Sequence, residues 1–200
     1  MSPPGTTLPQ MDQQTQSEAW LVERLVAGGD GFLRAPDGRS TFVPGALPGD
    51  LVRPLRVQEK PRMLRVLEHE LLEPSPLRVT PPCPLADRCG GCAWMALERG
   101  AQLEAKAAVL TDCLRRLGRI EVEGLRVLEA GPALGYRTRI RMQLGPDGPA
   151  FFARGSHTHV PVDRCAVAHP DLNAALDSLR DQLPAGGALD LRVGEGGVQA

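Results

Sequence analysis

The stretch CPLADRCGGCAWMAL, Cys83 to Leu97, places three of the chain's five cysteines within ten residues and brackets a Gly90-Gly91 turn. Cys89 and Cys92 can aim two thiols into one small volume, because glycines permit positive φ and free backbone N–H groups to face sulfur. Cys83, across five intervening residues, can loop round to the same centre. A fourth donor has two candidates. Cys113 sits beside the apolar stripe of an expected helix, where a cysteine serves as a small hydrophobe. Cys165, in VDRCAVAHPDL, follows a strand and can fold back, so Cys83, Cys89, Cys92 and Cys165 form the expected metal-binding set. Four thiolates suit tetrahedral zinc or an iron–sulfur cluster. Structural zinc favours two short Cys knuckles, whereas three close cysteines plus a remote one are commoner in cluster sites. His157, His159 and His169 are further donors by chemistry, read here as exposed loop histidines.

Working outward, Ala19 to about Leu72 carries short apolar runs at roughly ten-residue spacing, punctuated by AGGDG, DGR and PGD. That pattern predicts a small antiparallel barrel. Pro74, Pro76, Pro81, Pro82 and Pro84 make a stiff connector into the cysteine loop. A helix is expected over about Glu98 to Leu117, with Leu103, Ala107, Leu110, Leu114 and Leu117 as one buried stripe and Gly118 as its stop. YRTRIRMQL, Tyr136 to Leu144, alternates strictly, sending Tyr136, Thr138, Ile140, Met142 and Leu144 to one face and Arg137, Arg139 and Arg141 to the other. AFFAR and HTHVPV read as further strands, and Asp171 to Leu183 as a second helix. LDLRVGEGGVQA reads as a hairpin whose second strand is cut short, which points to a chain that stops inside a larger protein.

The composition bounds the partners. A hydrophobic fraction of 42% in 200 residues is enough for a core, and with a formal net charge of −1 any attraction to nucleic acid or an anionic membrane must come from local patterning. No run approaches the roughly 18 apolar residues of a membrane span. Residues 1–16 lack the layout of a secretion signal and read as a disordered leader on a cytoplasmic protein. In a reducing compartment, clustered cysteines favour metal over disulfides.

The succession of barrel, FVPGALPGD, SPLRVTPPC, Cys-x₅-Cys-Gly-Gly-Cys, AQLEAKAAVL, YRTRIRMQL and VPVDRCAVAHPDLN resembles the RNA uracil-5 methyltransferase family, in its iron–sulfur branch acting on 23S ribosomal RNA. The resemblance runs from about Ala19 to the last residue. It implies an α+β protein with three parts: a leader over 1–16, an OB-like TRAM barrel over 17–73 that binds RNA, and an iron–sulfur central domain over 74–200. A Rossmann-like S-adenosylmethionine domain would follow. It implies a [4Fe-4S] cluster on Cys83, Cys89, Cys92 and Cys165 that is structural. Met95 and Ala96 stand where relatives often carry Gln and His, which puts any RNA contact there in doubt. Nothing in these residues resembles the family's Gly-rich cofactor loop or nucleophilic cysteine motif, so residues 1–200 alone are expected to be inactive. The whole enzyme would add a thiolate to C6 of uracil and methylate C5.

For RNA contact the candidates are Arg137, Arg139 and Arg141, spaced about 6.5–7 Å apart along one strand face, with Arg53, Arg56, Lys60 and Arg62 on the barrel. Phe32 and Phe42 read as core residues, and Trp94 as a shield beside the third cysteine. The expected partner is RNA, met by a monomer. The competing reading is a complete, non-enzymatic RNA-binding protein stapled by zinc or a cluster. Radical methylthiolation needs Cys-x₃-Cys-x₂-Cys, which the x₅ spacing disfavours.

Overall fold

A computed structural model describes residues 18–199, so the expected leader lies outside the described residues. The chain is mixed α+β with two sheets and divides into two compact units. The first extends to Val79 and takes in Gly100–Val127; the second comprises Thr80–Arg99 and the residues from Leu128 onward. The expected boundary after Glu73 thus lies six residues before the first unit's break.

In the first unit the strands are β1 (Trp20–Leu21), β2 (Arg24–Leu25), β3 (Gly31–Arg34), β4 (Ser40–Val43), β5 (Leu51–Lys60) and β6 (Met63–Glu73). Their order is β1-β5-β6-β4-β3-β2, antiparallel except where β4 runs parallel to β6. The two edges, β1 and β2, are halves of one six-residue segment. Val22 N–H donates to Asp50 O (2.9 Å) and Glu23 N–H to Phe32 O (2.9 Å), so this segment joins both ends of the sheet and closes it on itself. Trp20, Val22, Leu33, Val43, Val52, Val57, Leu64 and Val66 fill the interior. Alternation along β5 holds at Val52 and Pro54, then slips to Val57, where the register with β6 shifts. Pro54 has no N–H for the ladder, and a bulge absorbs the defect. Phe32 is buried and meets Phe42 edge-on at 5.7 Å.

Asp50 ties this unit's ends together. Its carboxylate is fully buried and accepts from Leu47 N (2.6 Å), Ser75 N (2.9 Å), Arg78 Nε (2.7 Å) and Arg78 Nη2 (2.6 Å). Burial pushes this carboxyl up, but the hydrogen bonds from Arg78, Leu47 and Ser75 and the Arg78 charge outweigh it and hold it below its ordinary value.

Helix α1 spans Arg99–Cys113 and continues as a wider turn, Leu114–Gly118. The expected buried stripe is corrected: none of these residues is buried, and Leu117 is 81% exposed. A leucine period marks the apolar side of a helix; it does not supply a surface to cover it. The stop also differs, since Arg119 rather than Gly118 takes the left-handed conformation, at φ 54°.

The second unit is built on β7 (Arg139–Gly145), β8 (Gly148–Phe152), β9 (His159–Pro161), β10 (Ala188–Gly194) and β11 (Gly197–Gln199). The order is β11-β10-β7-β8-β9, antiparallel throughout. Ile140, Met142 and Leu144 of β7 and Leu189 and Leu191 of β10 pack with Leu172 and Leu176 of helix α2 (Pro170–Leu179). The strict alternation therefore holds from Arg139, but Tyr136 and Thr138 are exposed and precede the strand. There Arg137 pairs instead with the segment after Cys165: Arg137 N–H donates to Val167 O and His169 N–H to Arg137 O, both at 2.8 Å. Among the described residues no helix is long and apolar enough to cross a membrane.

Candidate functional site

Residues 80–97 contain no regular helix or strand; they are turns laid against the second sheet. Cys83 O accepts from Ala86 N (3.2 Å), and Leu85 O accepts from both Arg88 N (3.1 Å) and Cys89 N (2.7 Å), which coils the first two cysteines toward each other. Gly90 N–H then donates to Phe152 O (2.9 Å), and Cys89 forms an isolated antiparallel bridge with Ala153. A Cβ at Gly90 would lie 2.9 Å from Phe152 O and 3.2 Å from the Arg154 backbone, so only glycine permits this approach. Gly91 N–H points at Cys89 Sγ at 3.5 Å.

Cys165 comes from the other stretch of the unit and is clamped on both sides by one side chain. Its N–H donates to Asn173 Oδ1 (2.9 Å) and its carbonyl accepts from Asn173 Nδ2 (3.1 Å). Asn173 sits in the first turns of α2 and is 7% exposed. Sequence reasoning missed it; the available signal was an Asn eight residues after a candidate ligand, opening a helix. His169 caps the same helix, accepting from Asp171 N at 3.3 Å.

The result is one cavity of about 40 Å³ lined by Cys83, Cys89, Cys92 and Cys165 together. Leu85, Phe151, Val162 and Val167 make its apolar wall, and Arg137 and Arg164 are the cations among its lining residues. Cys113, in the first unit, is not among the lining residues. Burial pushes the Cys92 thiol up, the Arg137 guanidinium pulls it down, and Cys165, Cys89 and Cys83 push it up again. Among the described residues no three His, Cys, Asp or Glu side chains gather tightly enough to grip a single metal ion.

The arginines expected to form one row have separate situations. Arg137 turns inward and donates to Gly91 O at 3.4 Å. Arg139 makes a two-bonded pair with Asp190, whose carboxyl is held far below its ordinary value by that contact and by Arg192. Arg141 is exposed and makes no ion pair with the described residues. On the barrel, Arg53 pairs with Glu70 (2.7 Å) and Arg56 with Glu68 (2.6 Å), while Lys60 and Arg62 are exposed at the β5–β6 turn.

No family model matches the chain. It is 34% identical over 176 residues to an uncharacterized RNA methyltransferase of Gloeobacter violaceus, covering 84% of this chain and 38% of that one. It is 37% identical over 164 residues to a 23S rRNA (uracil(1939)-C(5))-methyltransferase of Chromohalobacter salexigens, covering 80% and 34% respectively. The chain is related in sequence to RNA methyltransferases, uracil-C5 enzymes among them. In fold, it is similar to Pyrococcus abyssi tRNA (uracil-54, C5)-methyltransferase, solved in complex with S-adenosyl-L-homocysteine. The TM-score is 0.59 at 25% identity, over 88% of this chain and 43% of that one. The chain spans about two fifths of the length of the curated RNA methyltransferases it matches.

Proposed function

We propose that this chain is the RNA-binding and [4Fe-4S]-binding part of an S-adenosylmethionine-dependent 23S rRNA uracil-C5 methyltransferase, working as a monomer in the cytoplasm. The observation that carries the reading is the cavity shared by Cys83, Cys89, Cys92 and Cys165, in a chain whose relatives are RNA methyltransferases. The donor set fits. Four soft thiol ligands, an apolar wall and two cations, Arg137 and Arg164, suit an anionic metal–sulfur group. One water needs about 10–15 Å³ of such space, so a 40 Å³ cavity has room for a compact multi-atom core beyond a lone ion. The group would serve as a cross-link between the 80–99 stretch and the sheet. This chain's own residues hold it there: Asn173 fixes Cys165, Gly90 seats the Cys89–Cys92 turn, and Arg137 offsets thiolate charge.

The closed six-stranded sheet is read as a TRAM barrel of the OB type, and the exposed arginines of β7 and the barrel as phosphate contacts. Methyl transfer is assigned to the part of the relatives' length that this chain does not span. Anaerobic purification of the chain with iron and acid-labile sulfide analysis tests the cluster. Equal iron and sulfide, lost in Cys165→Ala and kept in Cys113→Ala, is the expected result. A colourless protein holding one zinc and no sulfide overturns it.

A further inference from the structure

The outer face of the second sheet, opposite α2, carries two different kinds of side chain. The register sets Arg139 opposite Arg192 and Arg141 opposite Asp190, with Gln143 next on the same face. Ala150 pairs with Gln143, so Phe152, two residues on, emerges on that face as well. Phe152 is directly opposite His159 on β9, and their rings stack at 5.5 Å with 14° between planes. His157, in the β8–β9 turn, meets Phe152 edge-on at 5.1 Å. From below, the His159 ring lies against the bare Cα of Gly145, where a Cβ would come within 2.7 Å of Nδ1. Arginines thus occupy one end of the face and a braced group of three rings the other.

Both His157 and His159 are exposed, so their rings are open to a partner from solvent. Beside them lies an open concavity of about 430 Å³, bounded by the Gly90-Gly91 turn, Phe152, Arg154 and His157. Its lining combines aromatic rings with polar groups, Phe152 and His157 beside Arg154, Ser156 and the glycine backbone, which matches a flat heterocycle. Charged arginines further along the same sheet suit the phosphates that follow such a base.

We propose that this concavity takes one unpaired base of single-stranded RNA, stacked on the Phe152 and His157 rings that line it, with His159 bracing Phe152. The inference rests on the RNA-binding reading above and extends it to a specific subsite. The Gly90–Phe152 backbone bond joins the subsite to the cysteine loop, so the metal site and the base platform share one support.

The test is fluorescence anisotropy of a labelled single-stranded oligouridylate with the full chain, at several salt concentrations. Base–aromatic stacking predicts that His157→Ala weakens binding by about fivefold or more, and that His157→Phe restores it, since a ring face is retained. The salt slope should stay at the wild-type value, because it counts phosphates and not stacked bases. His157 is exposed, so neither variant endangers the fold. Photocrosslinking of 4-thiouridine-substituted oligonucleotide to the unmodified chain should label the 151–159 peptide. Wild-type affinity in His157→Ala and His157→Ala/His159→Ala, a reduced salt slope, failure of the Phe rescue, or labelling confined elsewhere each overturns the subsite. If the unmodified chain fails to bind the oligonucleotide, the RNA reading falls with it.

Discussion

Replacing Asp50 with Ala should unfold the barrel unit more readily than any other single truncation of a charged side chain in it. The change removes four hydrogen bonds and strands two amides, Leu47 and Ser75, in the interior. Arg78 keeps only the Gly45 carbonyl, at 3.3 Å. Removing one partner of a buried pair costs about 3–5 kcal/mol, and an unsatisfied buried amide about 1–3 kcal/mol. These terms overlap, and the Arg78 side chain is 23% exposed, so water recovers part of the loss. A net cost of about 3–4 kcal/mol follows. For a unit of this size that lowers Tm by roughly 12–30 °C. The assay is urea unfolding followed by Trp20, 3% exposed in the barrel interior, in a Trp94→Phe background. Adding Arg78→Met to Asp50→Ala should recover part of the loss, because the stranded cation is gone. A cost below about 1 kcal/mol, or strict additivity of the pair, would refute the reasoning.

The barrel should also weaken in mild acid. Burial lowers the His69 pKa from its ordinary 6.5, with Asp50 opposing and Arg78 assisting, so the unfolded chain takes up a proton first and stability falls as pH drops below about 6.5; His69→Phe should flatten that limb in unfolding curves. Asp50 adds a second loss at lower pH, since its folded pKa lies below the ordinary 3.8: its contribution is whole above that value and disappears on the way down. Asn173→Ala should cost about 2–3 kcal/mol of local order at Cys165 and reduce iron retention on anaerobic gel filtration, with Cys113→Ala as the unaffected control. Arg141→Gln should lower the salt slope of single-strand RNA binding by about 0.7 and Arg139→Gln by less, because Arg139 is already paired with Asp190, whereas Arg137→Gln, at the cysteine cavity, should leave the slope alone and reduce iron content.

Legibility followed the range of each interaction. The β7 alternation was readable from Arg139 to Leu144 because a period of two records burial residue by residue. It failed at Tyr136 and Thr138, where the backbone of Arg137 takes up a partner some thirty residues downstream that no local pattern encodes. The α1 leucines announced a helix and overstated its cover. The four cysteines grouped by chemistry and spacing line a common cavity, and their role as metal ligands is the proposal made above. The groups that fix it were not legible: Asn173 looks like an ordinary polar residue on a helix until its two bonds to Cys165 are seen, and Asp50 looks like a turn residue in ALPGD. The aromatic triad was also missed, since Phe152 and His159 become neighbours only through strand register.

The placement of the cysteine cavity gives a physical reason for the structural group proposed there. Residues 80–97 have no helix or strand of their own, and apart from short turns they are held to the sheet through the Cys89–Ala153 bridge, the Gly90–Phe152 bond, the Arg137–Gly91 contact and the burial of Leu85 and Leu97. Such a segment has little enthalpy to oppose its conformational entropy, about 1–2 kcal/mol per ordered residue. A cross-link from Cys92 to Cys165 closes a loop of about seventy residues and, by the chain-entropy account, stabilises the folded unit by about 4 kcal/mol. That is comparable to a whole domain's margin. On the proposed reading, a group bound in the cavity would therefore seat the loop, and because the Gly90-Gly91 turn is also one wall of the concavity at Phe152, it would complete the outer face of the sheet as well.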